Sequence, residues 1–281
     1  MFSRRAQGPV LASILASAVL SFASPAFAHD DHAHNHKALQ AAVDAPTRST
    51  ANKARDIHRH PAETLGFFGI KPSDTVVEIW PGGGWYTEIL APFLKDKGKL
   101  IVAAPEGNGS ASIGRFLDSD PATYGQVGRA NFPTILGGTG VAAGTADAVL
   151  TFRNVHNWRM GSYKADGADY SVAAFQELYA MLKPGGVLGI EDHRLPEGES
   201  DERERKSGYM KVSTIRRLAE QAGFRFAGAS EINANPKDTK DYARGVWTLP
   251  PRLVEGDKDR EKYLAIGESD RMTLKFIKPA K

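Results

Sequence analysis

Apolar and polar residues follow two periods along most of the chain, one typical of buried strands and one typical of amphipathic helices. Residues 75–80 (Thr-Val-Val-Glu-Ile-Trp) form a short run typical of a buried strand, and Trp85–Leu94 has the spacing of a helix. Between them, Pro81–Gly84 contains three consecutive glycines and predicts a tight turn. The pattern therefore predicts a strand, a glycine turn and a helix.

The same alternation continues to the C-terminus. Helical spacing covers residues 54–68, interrupted at Pro61, and then 112–117, 172–182 and 211–222, where Gly223 suits a left-handed C-terminal turn. Strand patterns cover residues 99–104, 148–152, 187–190, 224–232 and 272–277. A further strand is expected within residues 118–146, but their Gly-, Pro- and Thr-rich sequence does not show where. This order predicts a doubly wound α/β fold with a mostly parallel, seven-stranded sheet.

Ligands of such sheets bind beyond the carboxyl ends of the strands. That edge is predicted to hold Pro81–Gly84, Arg153–Trp158 and Glu191–Arg194. Glycines at 82, 83 and 84 let the backbone approach a small polar ligand closely, and the alternative is a purely structural turn.

Residues 1–28 have the three parts of an export signal. Arg4 and Arg5 supply positive charge, an apolar run covers residues 10–22, and Ala26-Phe27-Ala28 is a small-residue cleavage site. The run is shorter than the ~20 apolar residues that span a bilayer, which disfavours a retained anchor. We therefore expect a periplasmic or secreted protein that begins at His29 and is not inserted in a membrane.

The segment 29–51 is rich in histidine and alanine, and we predict a disordered tail before a single domain over 52–281. Imidazole is a common metal ligand, so that the tail offers weak candidates for a metal site. The alternative is a solvated linker. The candidates are His29, His32, His34 and His36.

Composition narrows the functional classes. The chain has 36 Lys and Arg against 33 Asp and Glu, a balance that gives no electrostatic case for nucleic acid. It has no cysteine, which excludes disulfides, a thiol nucleophile and a cysteine-held zinc. The expected partner is a small-molecule ligand.

Two polar loops carry the candidate chemistry. Asn154 and His156 lie in the first loop, after the strand pattern 148–152. Asp192 and His193 lie in the second loop, after the strand pattern 187–190. A histidine with a pKa near neutral removes protons from bound substrates, so that these four are the candidate catalytic residues. The alternatives are a helix-capping cluster in the first loop and a surface salt-bridge cluster in the second.

The segment before the first strand is charged at helical spacing. It either folds over the ligand site or forms a solvated helix face. Its charged residues are Arg55, Asp56, Arg59, His60 and Glu63.

From about residue 52 onward, the chain resembles the class I S-adenosylmethionine-dependent methyltransferases, in particular an exported branch of that family. The resemblance lies in residues 78–84 (Glu-Ile-Trp-Pro-Gly-Gly-Gly), 148–158 and 182–186 (Leu-Lys-Pro-Gly-Gly). It implies that the glycine turn holds the methionine end of S-adenosylmethionine and that the loop after the fourth strand lies near the transferred methyl group. The implied cofactor-binding residues are Glu78, Pro81, Gly82, Gly83, Gly84, Glu106 and Arg153.

The chain departs from the family pattern at two positions. Trp80 stands where the family has its first glycine, and the second strand ends in Ala103-Ala104-Pro105, where the family has an acid for the ribose hydroxyls. Glu106, slightly displaced, is the candidate for that acid. The main hypothesis is an exported methyltransferase-like enzyme with an unknown acceptor. The alternatives are a binding protein that keeps the fold without the chemistry and a metal-handling protein that uses the histidine tail.

Overall fold

The computed structural model describes residues 1, 2 and 26–280, and the side chains of residues 26–34 lie outside that description. Most of the predicted export signal, 1–28, therefore lies outside the described residues. Among the helices that are described, none has both the length and the apolar character needed to cross a bilayer.

Helices and strands alternate along the described chain. The helices are α1 (Ala26–Val43), α2 (Thr50–Lys53), α3 (Asp56–Arg59), α4 (Pro61–Phe68), α5 (Thr87–Leu94), α6 (Asn108–Asp118), α7 (Pro121–Tyr124), α8 (Val155–Arg159), α9 (Ser171–Met181), α10 (Asp201–Glu204), α11 (Val212–Ala222) and α12 (Arg260–Ile266). The strands are β1 (Thr75–Ile79), β2 (Lys99–Ala104), β3 (Gly128–Asn131), β4 (Ala146–Phe152), β5 (Leu182–Leu195), β6 (Met210–Lys211), β7 (Arg225–Ser230) and β8 (Arg271–Ile277).

Seven strands form the main sheet in the order β3-β2-β1-β4-β5-β8-β7, and the two-residue β6 pairs with β5 outside that path. The pairs from β3 to β5 are parallel, whereas β8 is antiparallel to both β5 and β7. The predicted doubly wound α/β fold is confirmed. The strand that the sequence did not locate is β3, an edge strand of four partly exposed residues, too short and too polar to give a strand pattern.

The central strands are buried on both faces, which explains their continuous apolar runs. Val76 packs into one hydrophobic cluster, while Val77 and Ile79 pack into a second cluster on the other face. Alternate side chains of β1 thus enter opposite layers, and the strand is held rigidly with its carboxyl end at the glycine turn.

The segment 29–51, predicted to be disordered, is largely ordered. Leu39, Ala42 and Val43 lie at helical spacing in α1, and they are buried in the same cluster as α4. After the helix, the buried Arg48 donates hydrogen bonds to the Val43 carbonyl (2.8 Å) and to Asp56 (2.7 and 2.8 Å). The prediction failed because three apolar residues among alanines are a weak periodic signal. The backbone of the four tail histidines belongs to α1, the side chain of His36 is exposed, and a metal site there stays a prediction.

Strand β5 is longer than predicted. Residues 191–194 were expected just beyond a strand end, but they lie within β5, where Glu191 pairs with Thr273 and His193 with Arg271 of β8. The antiparallel partner supports β5 beyond the edge at which the parallel strands end. The loop predicted over residues 153–158 is shorter than expected, because α8 already begins at Val155.

Candidate functional site

A cleft of about 450 Å³ opens at the carboxyl edge of the sheet, above the ends of β1 and β4. Its walls come from the glycine turn, from the segment around α3, from the β4–α8 connection and from two segments near the C-terminus. The lining includes Arg55, Arg59, Glu78, Trp80, Pro81, Gly82, Gly83, Arg153, Asn154, His156, His193, Trp247, Pro250, Pro251, Glu268 and Ser269.

Two of the three glycines face this cleft. A β-carbon on Gly82 or Gly83 would have no heavy atom of the described chain within 4 Å, so that their backbone is open to a ligand. Gly84 instead faces α6. It has a φ of +84°, and a β-carbon there would lie 2.6 Å from the Phe116 ring. The side of Gly84 on which a β-carbon would lie is therefore filled by the fold, Gly84 does not line the cleft, and its contact with a ligand stays a prediction.

Glu78, the next-to-last residue of β1, lines the cleft and is almost fully buried. Its carboxylate accepts a hydrogen bond from the Thr87 hydroxyl (2.6 Å). Burial raises the pKa of Glu78 to about 7, against the opposing effect of that hydrogen bond. Below that pH it is a neutral group in the floor of the site.

Asn154 lines the cleft, but its amide is used within the fold. The amide nitrogen donates to the Ile79 carbonyl (3.0 Å) and to the Thr151 hydroxyl (3.2 Å). These bonds tie the end of β4 to the end of β1. Asn154 therefore positions the two cleft walls relative to each other.

His156 and Asp192 form a buried hydrogen-bonded pair. The ring Nδ1 of His156 lies 2.9 Å from Asp192 Oδ1, and the same carboxylate accepts the backbone N–H groups of His156 (3.2 Å) and His193 (2.8 Å). Three donors thus fix the fully buried Asp192, which in turn orients the imidazole. With the proton on Nδ1, the Nε2 atom of His156 is free to accept a proton.

His193 lies beside this pair, its ring centroid 5.2 Å from that of His156. Its Nδ1 lies 2.5 Å from the Ser269 hydroxyl. Burial, followed by the charge of His156, holds the pKa of His193 well below its ordinary value, so that the ring is neutral. The ligand atoms of His156, Asp192 and His193 are also close enough to share a metal ion. However, the Asp192 carboxylate already accepts three N–H groups, which favours an acid–base role for this set over metal binding.

Four arginines surround two buried carboxylates along one part of the cleft, and we call this set the arginine cluster. Its guanidinium groups exceed its carboxylates by two, which gives the cluster a formal charge of +2. Ion pairs of 2.6 to 3.9 Å connect its members. They are Arg55, Arg59, Arg153, Arg271, Glu191 and Glu268.

Arg59 is the member of the cluster in which both terminal nitrogens lack a hydrogen-bond partner among the described residues. It is 1% exposed, its Nε donates to Glu268 (3.0 Å), and its guanidinium lies 4.6 Å from the centre of the Trp85 ring. Within the described chain, neither Nη1 nor Nη2 has a hydrogen-bond partner. Burial, together with the charge of Arg153, lowers the pKa of Arg59 to about 9, so that the group is still a cation at neutral pH.

Glu106 lies apart from the cleft. It is exposed and lines a separate cavity of about 310 Å³ with Ser110, Arg129 and Asn131. Of the implied cofactor-binding residues, the cleft brings together Glu78, Pro81, Gly82, Gly83 and Arg153, and it excludes Gly84 and Glu106. Of the candidate catalytic residues, Asn154, His156 and His193 line the cleft, and Asp192 contacts His156 from outside the lining.

The sequence did not single out the two C-terminal segments of the cleft. Trp247 lies 6.2 Å from the His156 ring, and Pro250 and Pro251 continue the same wall. Glu268 and Ser269 precede β8 and reach the site from the other side. Neither segment has a regular period, so that only an unusual density of Trp and Pro could have indicated the first.

No protein-family model and no curated protein matches the chain. Solved structures share its fold. A SAM-dependent methyltransferase from Aquifex aeolicus has a TM-score of 0.52 at 15% identity over 86% of this chain and 98% of its own. The 4+2 cyclase SpnF has a TM-score of 0.53 at 13% identity, covering 90% and 96% of the two chains. An arsenic (III) S-adenosylmethionine methyltransferase from Chlamydomonas reinhardtii has a TM-score of 0.50 at 14% identity, covering 86% and 73%.

At identities of 13–15% the likeness concerns the fold alone. The similar proteins include methyltransferases and a cyclase, so that the fold does not determine the reaction. The strand order agrees with this fold. The chain has a class I methyltransferase-like fold.

Proposed function

We propose that this protein is an enzyme that binds a small anionic substrate in the cleft and removes a proton from it with His156. The observation that carries the proposal is Arg59, a buried cation at the cleft whose Nη1 and Nη2 donors have no partner among the described residues. Buried polar groups in proteins are nearly always hydrogen-bonded, and an unused guanidinium fork matches a carboxylate or a phosphate.

The charge of the arginine cluster supports the same ligand class. Burial opposes ionisation of Glu268, but Arg59, Arg271, Arg153 and Arg55 hold its pKa well below the ordinary value. The Glu268 carboxylate therefore stays charged. Together with Glu191 it offsets two of the four arginine charges, so that the cluster keeps its formal charge of +2. A bound anion would offset this excess next to the buried guanidinium of Arg59.

His156 supplies the chemistry beside the anion. A substrate O–H, N–H or acidic C–H placed at Nε2 transfers its proton to the imidazole, and Asp192 stabilises the resulting imidazolium through Nδ1–H. The neutral His193 adds a hydrogen-bonding group without adding charge. Asp192 acts as a positioning residue.

Methyl transfer from S-adenosylmethionine to this substrate is the second candidate, favoured by the open backbone at Gly82 and Gly83. The residues that would face the methionine end fit such a molecule. Those at the nucleoside end do not, because the indole of Trp80 lies there and Glu106 lines a different cavity. We therefore derive no step through this cofactor.

Titration with inorganic phosphate and with succinate tests the anion site and separates the two ligand chemistries. We expect one of them to bind the wild type and raise its Tm, and Arg59→Met to lose at least tenfold in affinity, since hydrogen bonds to charged groups contribute ~1.5–3 kcal/mol. The exposed Arg115→Met variant, on α6, is the matched control and should bind like the wild type. Equal affinities in all three proteins would refute the assignment.

Deuterium exchange tests the base. Among bound anions with an acidic C–H, exchange in D2O followed by NMR should slow by about 10²-fold or more in His156→Ala, with anion affinity within about twofold of the wild type. Asp192→Asn should slow exchange through the loss of imidazole alignment. Exchange at the wild-type rate in His156→Ala would remove His156 from the mechanism.

A further inference from the structure

The indole of Trp80 lies across the carboxyl end of β2. Trp80 follows β1, and its backbone N–H donates to the Ala103 carbonyl of β2 (2.8 Å). Its indole Nε1–H donates to the carbonyl of Phe132, which follows β3 (2.8 Å). Since β2 lies between β1 and β3, the side chain spans the end of the strand between its two anchors.

Aromatic contacts hold the indole in this position. Its ring centroid lies 6.2 Å from that of Trp158 and 5.2 Å from that of Tyr163, both in T-shaped arrangements. The backbone of Trp80 has a φ of 50°, in the left-handed region that costs a non-glycine residue ~1–2 kcal/mol. Strain of this kind persists where surrounding contacts fix a residue, often at a functional site.

In doubly wound folds the end of the second strand is where an acid binds the ribose of a nucleotide cofactor. Here the indole covers that end, and Glu106 lies outside the cleft. Among the described residues, none between 99 and 136 lines the cleft. The open space thus lies over β1 and β4, beside the arginine cluster and His156.

We propose that Trp80 is a specificity-determining residue that closes the nucleoside half of the site, so that the cleft takes a nucleoside-free anionic ligand and excludes S-adenosylmethionine and related nucleosides. Only the nature of the ligand rests on the proposed function. The exclusion itself depends on Trp80 and its contacts with the ends of β2 and β3, to which Arg59 does not contribute.

Calorimetric titration with S-adenosylhomocysteine and with adenosine tests the exclusion. We expect no binding to the wild type at millimolar ligand, and binding at least tenfold tighter in Trp80→Gly, which restores the residue of the family pattern and relieves the left-handed strain. The matched control is Trp247→Ala, at a second tryptophan that lines the cleft, which should gain no nucleoside affinity.

Circular dichroism and thermal melting establish that the variants are folded, and Trp80→Ala and Trp80→Phe serve if the glycine variant is not. Phenylalanine keeps a ring against Trp158 but lacks the N–H that binds the Phe132 carbonyl. Binding of S-adenosylhomocysteine to the wild type would overturn the proposal in a single measurement. So would a folded Trp80→Gly variant that binds neither ligand. Either result leaves the phosphate and succinate test of Arg59 unaffected.

Discussion

Gly84→Ala should destabilise the protein without acting on the ligand site. Gly84 has a φ of +84°, and placing alanine there costs ~1–2 kcal/mol. The new methyl group would also lie 2.6 Å from Phe116 Cε1, closer than real contacts permit, so that the partly buried ring must shift. Overpacking of this kind typically costs ~1–3 kcal/mol. Together these terms predict a loss of about 3 kcal/mol in the free energy of unfolding.

The assay is urea unfolding followed by circular dichroism, with Gly83→Ala as the matched control. Gly83 is the adjacent glycine, its φ is not in the left-handed region, and its added methyl group meets open space. We expect the control to lie within ~0.5 kcal/mol of the wild type. Equal stability of the two variants would refute the predicted cost at Gly84. A Gly84→Ala variant with wild-type stability and weakened anion binding would show in addition that Gly84 faces the ligand.

Two further predictions concern α1 and the titration of Glu78. Leu39→Ala should cost ~2–5 kcal/mol of stability, because Leu39 is fully buried. Lys37→Ala, at an exposed position of the same helix, should change the stability little. Equal melting temperatures of the two variants would indicate that residues 35–43 belong to a disordered tail. The Glu78 carboxyl should lower the stability of the wild type by ~3 kcal/mol as pH rises from its unfolded pKa, 4.5, to its folded pKa of about 7. In that range Glu78 is ionised in the unfolded chain and neutral in the folded protein. Urea unfolding of Glu78→Gln should show a flatter pH profile, and an unchanged profile would assign the dependence to other groups.

The central layer of this protein could be predicted from its sequence. The apolar run 75–79, the three glycines after it and the helical spacing after them identify β1, its turn and α5, because each depends on local periodicity and on residues with special backbone freedom. Strands β2, β4 and β8 follow by the same reasoning. Edge strand β3 and helix α1 escaped it, because a four-residue polar strand and three buried apolar positions among alanines are defined by what packs on them.

The site divides in the same way. The sequence alone determined that His156 and the glycine turn would meet at one edge of the sheet, since parallel strands end there together. Only the tertiary structure decided that Gly84 faces Phe116, that Glu106 lies in another cavity and that the Trp80 indole reaches Phe132. It also decided the charge of the cleft, because Arg59 and Glu268 are 209 positions apart in the chain. Local pattern reports which element a residue belongs to, whereas the direction of a side chain and its partners depend on contacts between elements that no local period records.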